Sequence, residues 1–333
     1  MPTTELPVDL HLETLPYPLG PDAQQELIQL LRTEWNRTDY DWLEAMNGDY
    51  GSNLAITSIV ARRHGEAVAT ATVHHHRTCP EAAVLGGVLT RRQHRGHGIG
   101  GRVVAAALAV AQRAGCMLCL LGTAKSPTNL YSRNGFEWIR GSVMRRALAP
   151  ADAVPDVFSP EQATTLRSAD WGDLPGLTLL AAQPLATACL DFSRGLFSSR
   201  YVSPERCLSN FPVLWYDTVV RGGALQVVEG AQAGRVLGFG SISRGAGSGR
   251  RHTGTIDLCL HDAHIHLQPE LLASLLDQCR VLGLSQVDAW VAGLDEAKQD
   301  CLRDAGFVEQ ARLPSALVVG EQPVAAVLLG REL

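Results

Sequence analysis

RRQHRGHGIGG, residues 91–101, decides how the rest of the chain is read. Glycines at 96, 98, 100 and 101 stand among Arg91, Arg92, His94, Arg95 and His97. The run before them, AAVLGGVLT (82–90), has the apolar character of a strand. After them Ile99, Val103, Ala106 and Val110 recur at helical steps, Arg102, Gln112 and Arg113 are left for water, and Gly115 marks the stop. A strand, then bare backbone among cationic side chains, then a helix start is a physical recipe for phosphate. Free N–H groups and the positive end of the helix dipole converge there, and missing side chains let oxygens approach closely.

Two familiar phosphate loops do not fit. A Walker A loop needs Lys-Ser or Lys-Thr after its glycines, and neither is present. Gly96-x-Gly98-x-x-Gly101 matches a dinucleotide fingerprint in spacing. It follows an antiparallel-looking hairpin, however, and Gly115 to Cys119 holds no acid for a ribose.

Working outward, QQELIQLLRTEW (24–35) has helical spacing, and NRTDYDWLEAMNGDYG after it mixes acids with aromatics as loop and short helix. ITSIVARRHGEAVATATVHHHR (56–77) is two β-rich runs around Arg63-His64-Gly65-Glu66. Downstream, CMLCLLG reads as a buried strand, Ser126-Pro127 offers a cap and first position for the helix TNLYSRN, Gly135 ends it, and FEWIRGSVMRRAL supplies closing strands.

From residue 160 the same order returns. TLRSADWGDLPGLTLLAAQ reads as a first helix, GALQVVEGAQAGRVLGFGSISR as a hairpin turning at Gly234, and HTGTIDLCLH as the next strand. PELLASLLDQCRVLG is a helix, SQVDAWVAG a strand, and DEAKQDCLRDAGF the final helix. Gly65 and Gly115 lie 50 positions apart, Gly234 and Gly283 49. In that register Arg95–Gly100 answers to Ala263-His-Ile-His-Leu-Gln268, which has neither glycine nor arginine, and Tyr131 answers to Leu302.

Arg95-Gly96-His97-Gly98-Ile99-Gly100 resembles the Arg/Gln-x-x-Gly-x-Gly/Ala signature of the GCN5-related N-acetyltransferase (GNAT) family. Leu130-Tyr131-x-x-x-Gly135-Phe136 is similar to that family's downstream motif. The resemblance covers about residues 20–147 with motifs and about 160–330 by architecture. It implies an α/β fold (an α+β mixed sheet) of two tandem domains, a catalytic one at 1–150 with an acyl-CoA site and a degenerate one at 151–333. The tandem arrangement is similar to that of the mycothiol synthase group, except that the intact signature here lies in the first half.

The resemblance further implies acetyl-CoA as co-substrate and a small-molecule primary amine as acceptor. Backbone N–H groups at Gly96, His97, Gly98 and Gly100, with Ile99 between them and Arg95 adding charge, would hold the pyrophosphate. Arg91 and Arg92 either reach the ribose phosphate or are solvated. The pantetheine arm would line the edge of strand 84–90, Val88, Leu89 and Thr90 included, with the N–H near Leu89 polarising the thioester carbonyl. Tyr131 would protonate the departing thiolate, and the amine must lose a proton to a base or to water. The family's usual glutamate is missing from AAVLGGV. Glu81, His76 and His74 are the nearest candidate bases, beside a water relay. Trp35, Asp39, Tyr40, Asp41, Trp42 and Glu44 form either an acidic, aromatic acceptor wall or a solvated helix surface. A CoA-binding sensor without turnover, and transfer of a longer acyl group, are the competing readings.

Composition bounds these readings. A chain of 333 residues suits two cores, and 46% hydrophobic with 19% charged residues describes a globular protein. A net charge of -5 argues against a general nucleic-acid binder. No run approaches a membrane span and the start lacks a secretory pattern, so a cytoplasmic monomer or homodimer is expected. Cys116-Met-Leu-Cys119 lies in a strand without a second pair, and His74-His75-His76 and the group His261, His264, His266 lack ligand-spaced partners. Core packing or pocket walls are therefore expected, and no metal.

Overall fold

The computed structural model describes residues 9–35, 53–123, 128–140, 143–150, 156–160, 163–183, 185, 211, 214–245, 247–319 and 322–333. Residues 39–44, 126 and 127, read above as an acceptor wall and a helix cap, lie outside them. The first half forms β1 (Leu10–Pro16), α1 (Pro21–Trp35), β2 (Leu54–Arg63), β3 (Glu66–His76), β4 (Ala82–Thr90), α2 (Ile99–Arg113), β5 (Leu118–Gly122), α3 (Thr128–Ser132), β6 (Glu137–Arg140) and β7 (Val143–Ala147).

These strands make one seven-stranded sheet in the order β1-β2-β3-β4-β5-β7-β6, with β4 and β5 parallel and every other pair antiparallel. The β2–β3 turn puts both His64 (φ 49°) and Gly65 (φ 83°) in the left-handed region, which matches the twist of a tight hairpin. A parallel pair needs a crossover, and α2 supplies it. Ile99, Val103, Val104, Ala107, Leu108 and Ala111 of α2 pack with Ala69, Ala71 and Val73 of β3 and Ile59 of β2. Side chains alternate along a strand, so Thr70, Thr72, His74 and His76 take the opposite face. Helix α1 is tied to the sheet by Glu26, whose Oε1 accepts from Arg62 Nη1 at 2.6 Å and from the Ala67 N–H at 3.2 Å.

The second half forms β8 (Thr165–Ser168), α4 (Leu174–Ala181), β9 (Ala224–Glu229), β10 (Val236–Arg244), β11 (Thr253–Leu260), α5 (Gln268–Val281), β12 (Gln286–Ala292), α6 (Glu296–Asp304), β13 (Val308–Val319) and β14 (Gln322–Glu332). Its sheet runs β8-β9-β10-β11-β12-β14-β13, the order of the first, and again only the central β11–β12 pair is parallel. Residues 165–183 do not begin as a helix. Thr165–Ser168 pair with β9, Arg167 Nη2 donates to Glu229 at 2.7 Å, and helix begins only at Leu174. Asp170 sets that start: its side chain accepts from the Gly172 N–H while Asp173 accepts from the Asp170 N–H. Strand β1 and the closing hairpin β13–β14 carry no turn or alternation that the sequence reading picked out.

The chain divides into two compact units, Met1–Pro155 with Asp170–Leu179, and Asp156–Ala169 with Leu180–Leu333. Within the first unit Asp170 Oδ2 accepts from Asn53 Nδ2 at 2.7 Å, and Trp171 and Asp173 are buried. A Cβ on Gly172 would meet Asn53 Cβ at 2.6 Å and His76 Cδ2 at 2.9 Å, so only glycine fits there. Among the described residues no helix is long and apolar enough to cross a membrane.

Candidate active site

Strand β4 ends in the glycine stretch, and its geometry follows from its two neighbours. It pairs with β5 only over Ala82–Val84 against Leu118–Leu120, so the two parallel strands part beyond Val84 and the β5-side edge of Leu85–Thr90 has no strand partner. On the other side the β3 pairing runs from Thr72↔Gly86 to Thr70↔Leu89, which leaves an extra residue in β4. That bulge is centred on Gly87, with φ 57°. Its signal was the Gly86-Gly87 pair inside an otherwise apolar strand, which the sequence reading passed over.

Arg92–His94 then make a single 3-10 turn, and α2 begins at Ile99 with Gly98 as its cap. Gly96 (φ 83°) and Gly98 (φ 76°) are left-handed, and a Cβ on either would meet nothing within 4 Å. Gly98 offers no capping side chain, so the first N–H groups of α2 are left to other acceptors. Bare, left-handed, open backbone at an uncapped helix start fits a pyrophosphate. Gly100 and Gly101 are different. A Cβ on Gly100 would sit 3.2 Å from Thr90 Oγ1 and 3.6 Å from Leu130, and one on Gly101 3.8 Å from Asn134. They let α2 approach the strand end and α3.

The arginines are held by acids. Arg95 donates from Nη2 to Glu34 Oε2 at 2.9 Å and from Nε to the Thr90 carbonyl at 2.9 Å, while the Arg92 N–H donates to Glu34 Oε1 at 3.2 Å. Arg91 donates to Glu66 Oε2 at 3.3 Å. Glu34, in the last turn of α1, was not among the residues singled out from sequence, because nothing in its local pattern reveals a partner 61 positions away.

Tyr131 lies in α3, buried in the α2 core beside Leu85 and Leu121, its ring 6.1 Å from that of Phe136 and edge-on. Its hydroxyl pairs with Thr123, just past β5, and burial pushes its pKa up to about 12. The phenol therefore stays protonated at neutral pH. Gly135, with φ 77°, closes the α3 turn as expected.

Glu81 and His76 are both buried at the β3–β4 turn, the far end of β4 from Val88, Leu89 and Thr90. Seven residue steps separate Glu81 from Val88, about 23 Å at ~3.3 Å each. His76 Nδ1 accepts from the Thr78 and Cys79 N–H groups at 3.2 and 3.0 Å, which fastens that turn. His74 shares the His76 face, with Nδ1 3.3 Å from the Val84 carbonyl, and burial lowers its pKa to about 4. Cys116 and Cys119 are core residues, and burial pushes the Cys116 thiol up to about 12.

The second unit keeps the parting strands without the loop. Strand β11 pairs with β12 only over Thr253–Thr255. Two short 3-10 turns kinked at His264, together Asp262–Leu267, lead into α5, with no positive φ among the described residues between Gly247 and Gly283. Two residues past the last β12 partner, Asp257 Oδ1 meets Lys298 Nζ at 2.5 Å, with both side chains fully buried. Counted from the first parallel pair, Asp257 stands where the first unit has Gly86.

Each unit is thus an α/β assembly, a mixed, mostly antiparallel sheet flanked by helices whose central parallel strands part. Residues 24–136 match the family model of the acetyltransferase (GNAT) family. Solved structures similar to this chain include a phosphinothricin acetyltransferase from Sinorhizobium meliloti in complex with AcCoA (18% identity, 51% of this chain, 88% of that one, TM-score 0.42). A ribosomal-protein-alanine N-acetyltransferase from Brucella melitensis is similar at 19% identity, over 51% of this chain and 99% of that one, with TM-score 0.41. An N-acetyltransferase from Staphylococcus aureus Mu50 is similar at 14%, over 51% and 98%, with TM-score 0.41. No curated protein matches the sequence.

Proposed function

We propose that the first unit is an acetyl-CoA-dependent N-acetyltransferase that acetylates a primary amine of a small molecule. The observation that carries this reading is the open, left-handed Gly96–Gly98 backbone at the uncapped start of α2, set at the end of a strand whose outer edge is unpaired. The family match over residues 24–136 supports it. In this reading Gly96, His97, Gly98, Ile99 and Gly100 present N–H groups and the helix dipole to the pyrophosphate. The pantetheine lies along the free edge of Val88, Leu89 and Thr90, adding a strand where β5 has turned away. Arg95, paired with Glu34, shapes the loop as well as adding charge.

The amine attacks the thioester carbonyl directly. An N–H donor at the bulge takes the developing oxyanion, and the C–S bond breaks toward sulfur. Tyr131, a phenol protonated at neutral pH, then gives its proton to the thiolate. Glu81 and His76, across the length of β4, take part in deprotonating the amine only through water. The second unit, where Lys298 of α6 meets Asp257 of β11 beyond the last parallel pair, holds no acetyl-CoA in this reading.

Incubation with acetyl-CoA and a panel of primary amines, following free thiol release, tests it. Amine-dependent release that falls about 100-fold in Tyr131→Phe with CoA affinity retained is the expected outcome. The absence of a carboxylate between Ala82 and Thr90 favours a second reading, a CoA-binding sensor. Tight CoA binding with no release across the panel would select that one.

A further inference from the structure

The face of the first unit's sheet away from α2 carries a row of hydroxyls, buried at Tyr17 and Ser58 and half-buried at Thr72, that the reaction as described does not use. Tyr17 Oη lies 3.1 Å from Ser58 Oγ, and Ser58 Oγ lies 2.7 Å from Thr72 Oγ1. The row crosses from the end of β1 through β2 to β3 and stops at the β4 bulge. There a Cβ on Gly87 would come within 3.0 Å of Thr72 Oγ1, so the hydroxyl rests against the bare α-carbon of the bulge. Two residues along the same face, Thr70 Oγ1 is buried and has no hydrogen-bond partner among the described residues.

Hydroxyls inside a sheet face cost stability unless they are bonded, and alanine or valine would fill these positions without that cost. A phenol is the stronger donor of the three groups. With Tyr17 donating to Ser58 and Ser58 to Thr72, the Thr72 oxygen keeps one lone pair and its own proton for a group outside the row.

We propose that Thr72 Oγ1 receives the acceptor's amine, accepting a hydrogen bond from its N–H and aiming the nitrogen lone pair at the thioester carbonyl held beside the Gly87 bulge. Ser58 and Tyr17 are positioning residues that fix the Thr72 hydroxyl. This rests on the acetyltransferase reading above and deepens it, since it assigns the acceptor to the face opposite α2. No proton is transferred through the row: it orients the nitrogen and excludes geometries in which the lone pair points elsewhere.

The test measures kcat and KM for both substrates with the best acceptor from tyramine, spermidine and glucosamine, in wild type, Thr72→Val, Thr72→Ser and Tyr17→Phe. Valine is β-branched like threonine and suits the strand, and a melting curve checks that it folds. Thr72→Val is expected to lower kcat/KM for the amine about 10- to 100-fold, the effect of losing one well-placed hydrogen bond, with the affinity for CoA unchanged. Thr72→Ser is expected to restore most of the loss, and Tyr17→Phe to lower kcat/KM about threefold or more. Unchanged amine kinetics in a folded Thr72→Val overturns the assignment and leaves the acetyltransferase reading standing. Wild-type protein that binds CoA and acetylates none of the amines removes that reading, and this assignment with it.

Discussion

At Gly96 and Gly98 the backbone is left-handed and faces open space, whereas at Gly100 and Gly101 it is helical and faces Thr90, Leu130 and Asn134. The sequence presents the four as one cluster because spacing carries no information about φ or about what lies opposite. Gly98→Ala is therefore expected to cost about 1–2 kcal/mol of stability from the left-handed conformation alone. Gly98→Glu adds a carboxylate where phosphate is expected and should weaken CoA binding more than tenfold by calorimetric titration. Unaltered binding by Gly98→Glu would remove the pyrophosphate assignment. Glu34 presents the converse case, a residue whose role is invisible locally. Glu34→Ala frees Arg95 and the Arg92 N–H from one carboxylate, so the KM for acetyl-CoA should rise several-fold with little change in kcat. His74 gives a pH signature: burial holds its folded pKa near 4 against an ordinary 6.5. Neutral His74 thus contributes stability above pH 6.5 that is lost as pH falls toward 4, about 3 kcal/mol in all by linkage. Chemical denaturation at pH 7 and pH 4.5 should show that loss, and His74→Gln should reduce it.

At the scale of elements, the buried pair Lys298–Asp257 spans α6 to β11 where the first unit has glycine on β4. Lys298→Met takes the cation away from the buried Asp257 carboxylate and is expected to cost about 3–5 kcal/mol by urea denaturation. The double variant Lys298→Met with Asp257→Leu should recover most of it. The elements that carry their own punctuation were legible: β2 and β3 around His64-Gly65, α2 from its apolar stripe, and α3 from Gly135. Thr165–Ser168 was not, because four residues ahead of an apolar helix have no period of their own, and it is pairing with β9 that makes them a strand. The parting of β4 from β5 was equally hidden. It depends on register between strands about 35 residues apart, and the single local clue was Gly86-Gly87.

For the whole molecule, duplication was legible because the glycine stops recur at nearly equal intervals, and the loss of the glycine loop at Ala263–Gln268 was readable in the same register. Titration with CoA is accordingly expected to saturate at one molecule per chain, and a second equivalent bound would contradict the reading of the second half as degenerate. A cut between the halves was also read from the sequence, near residue 150. The contacts divide the chain otherwise, since Asp170–Leu179 belongs with the first unit and Asp156–Ala169 with the second. Asn53, His76 and Gly172 meet where that returning segment seals the end of β2 and β3. A chain ending at Pro155 is expected to melt below the same unit in the full chain, measured by the loss of tryptophan and tyrosine signal on heating. The returning segment also bears on the order of events at the ribosome. The first unit, although it would carry the acetyl transfer, is not complete when its own sequence has emerged. It waits for residues that follow Asp156–Ala169 of the second unit in the chain, so the two units can no longer be parted by a simple break between them.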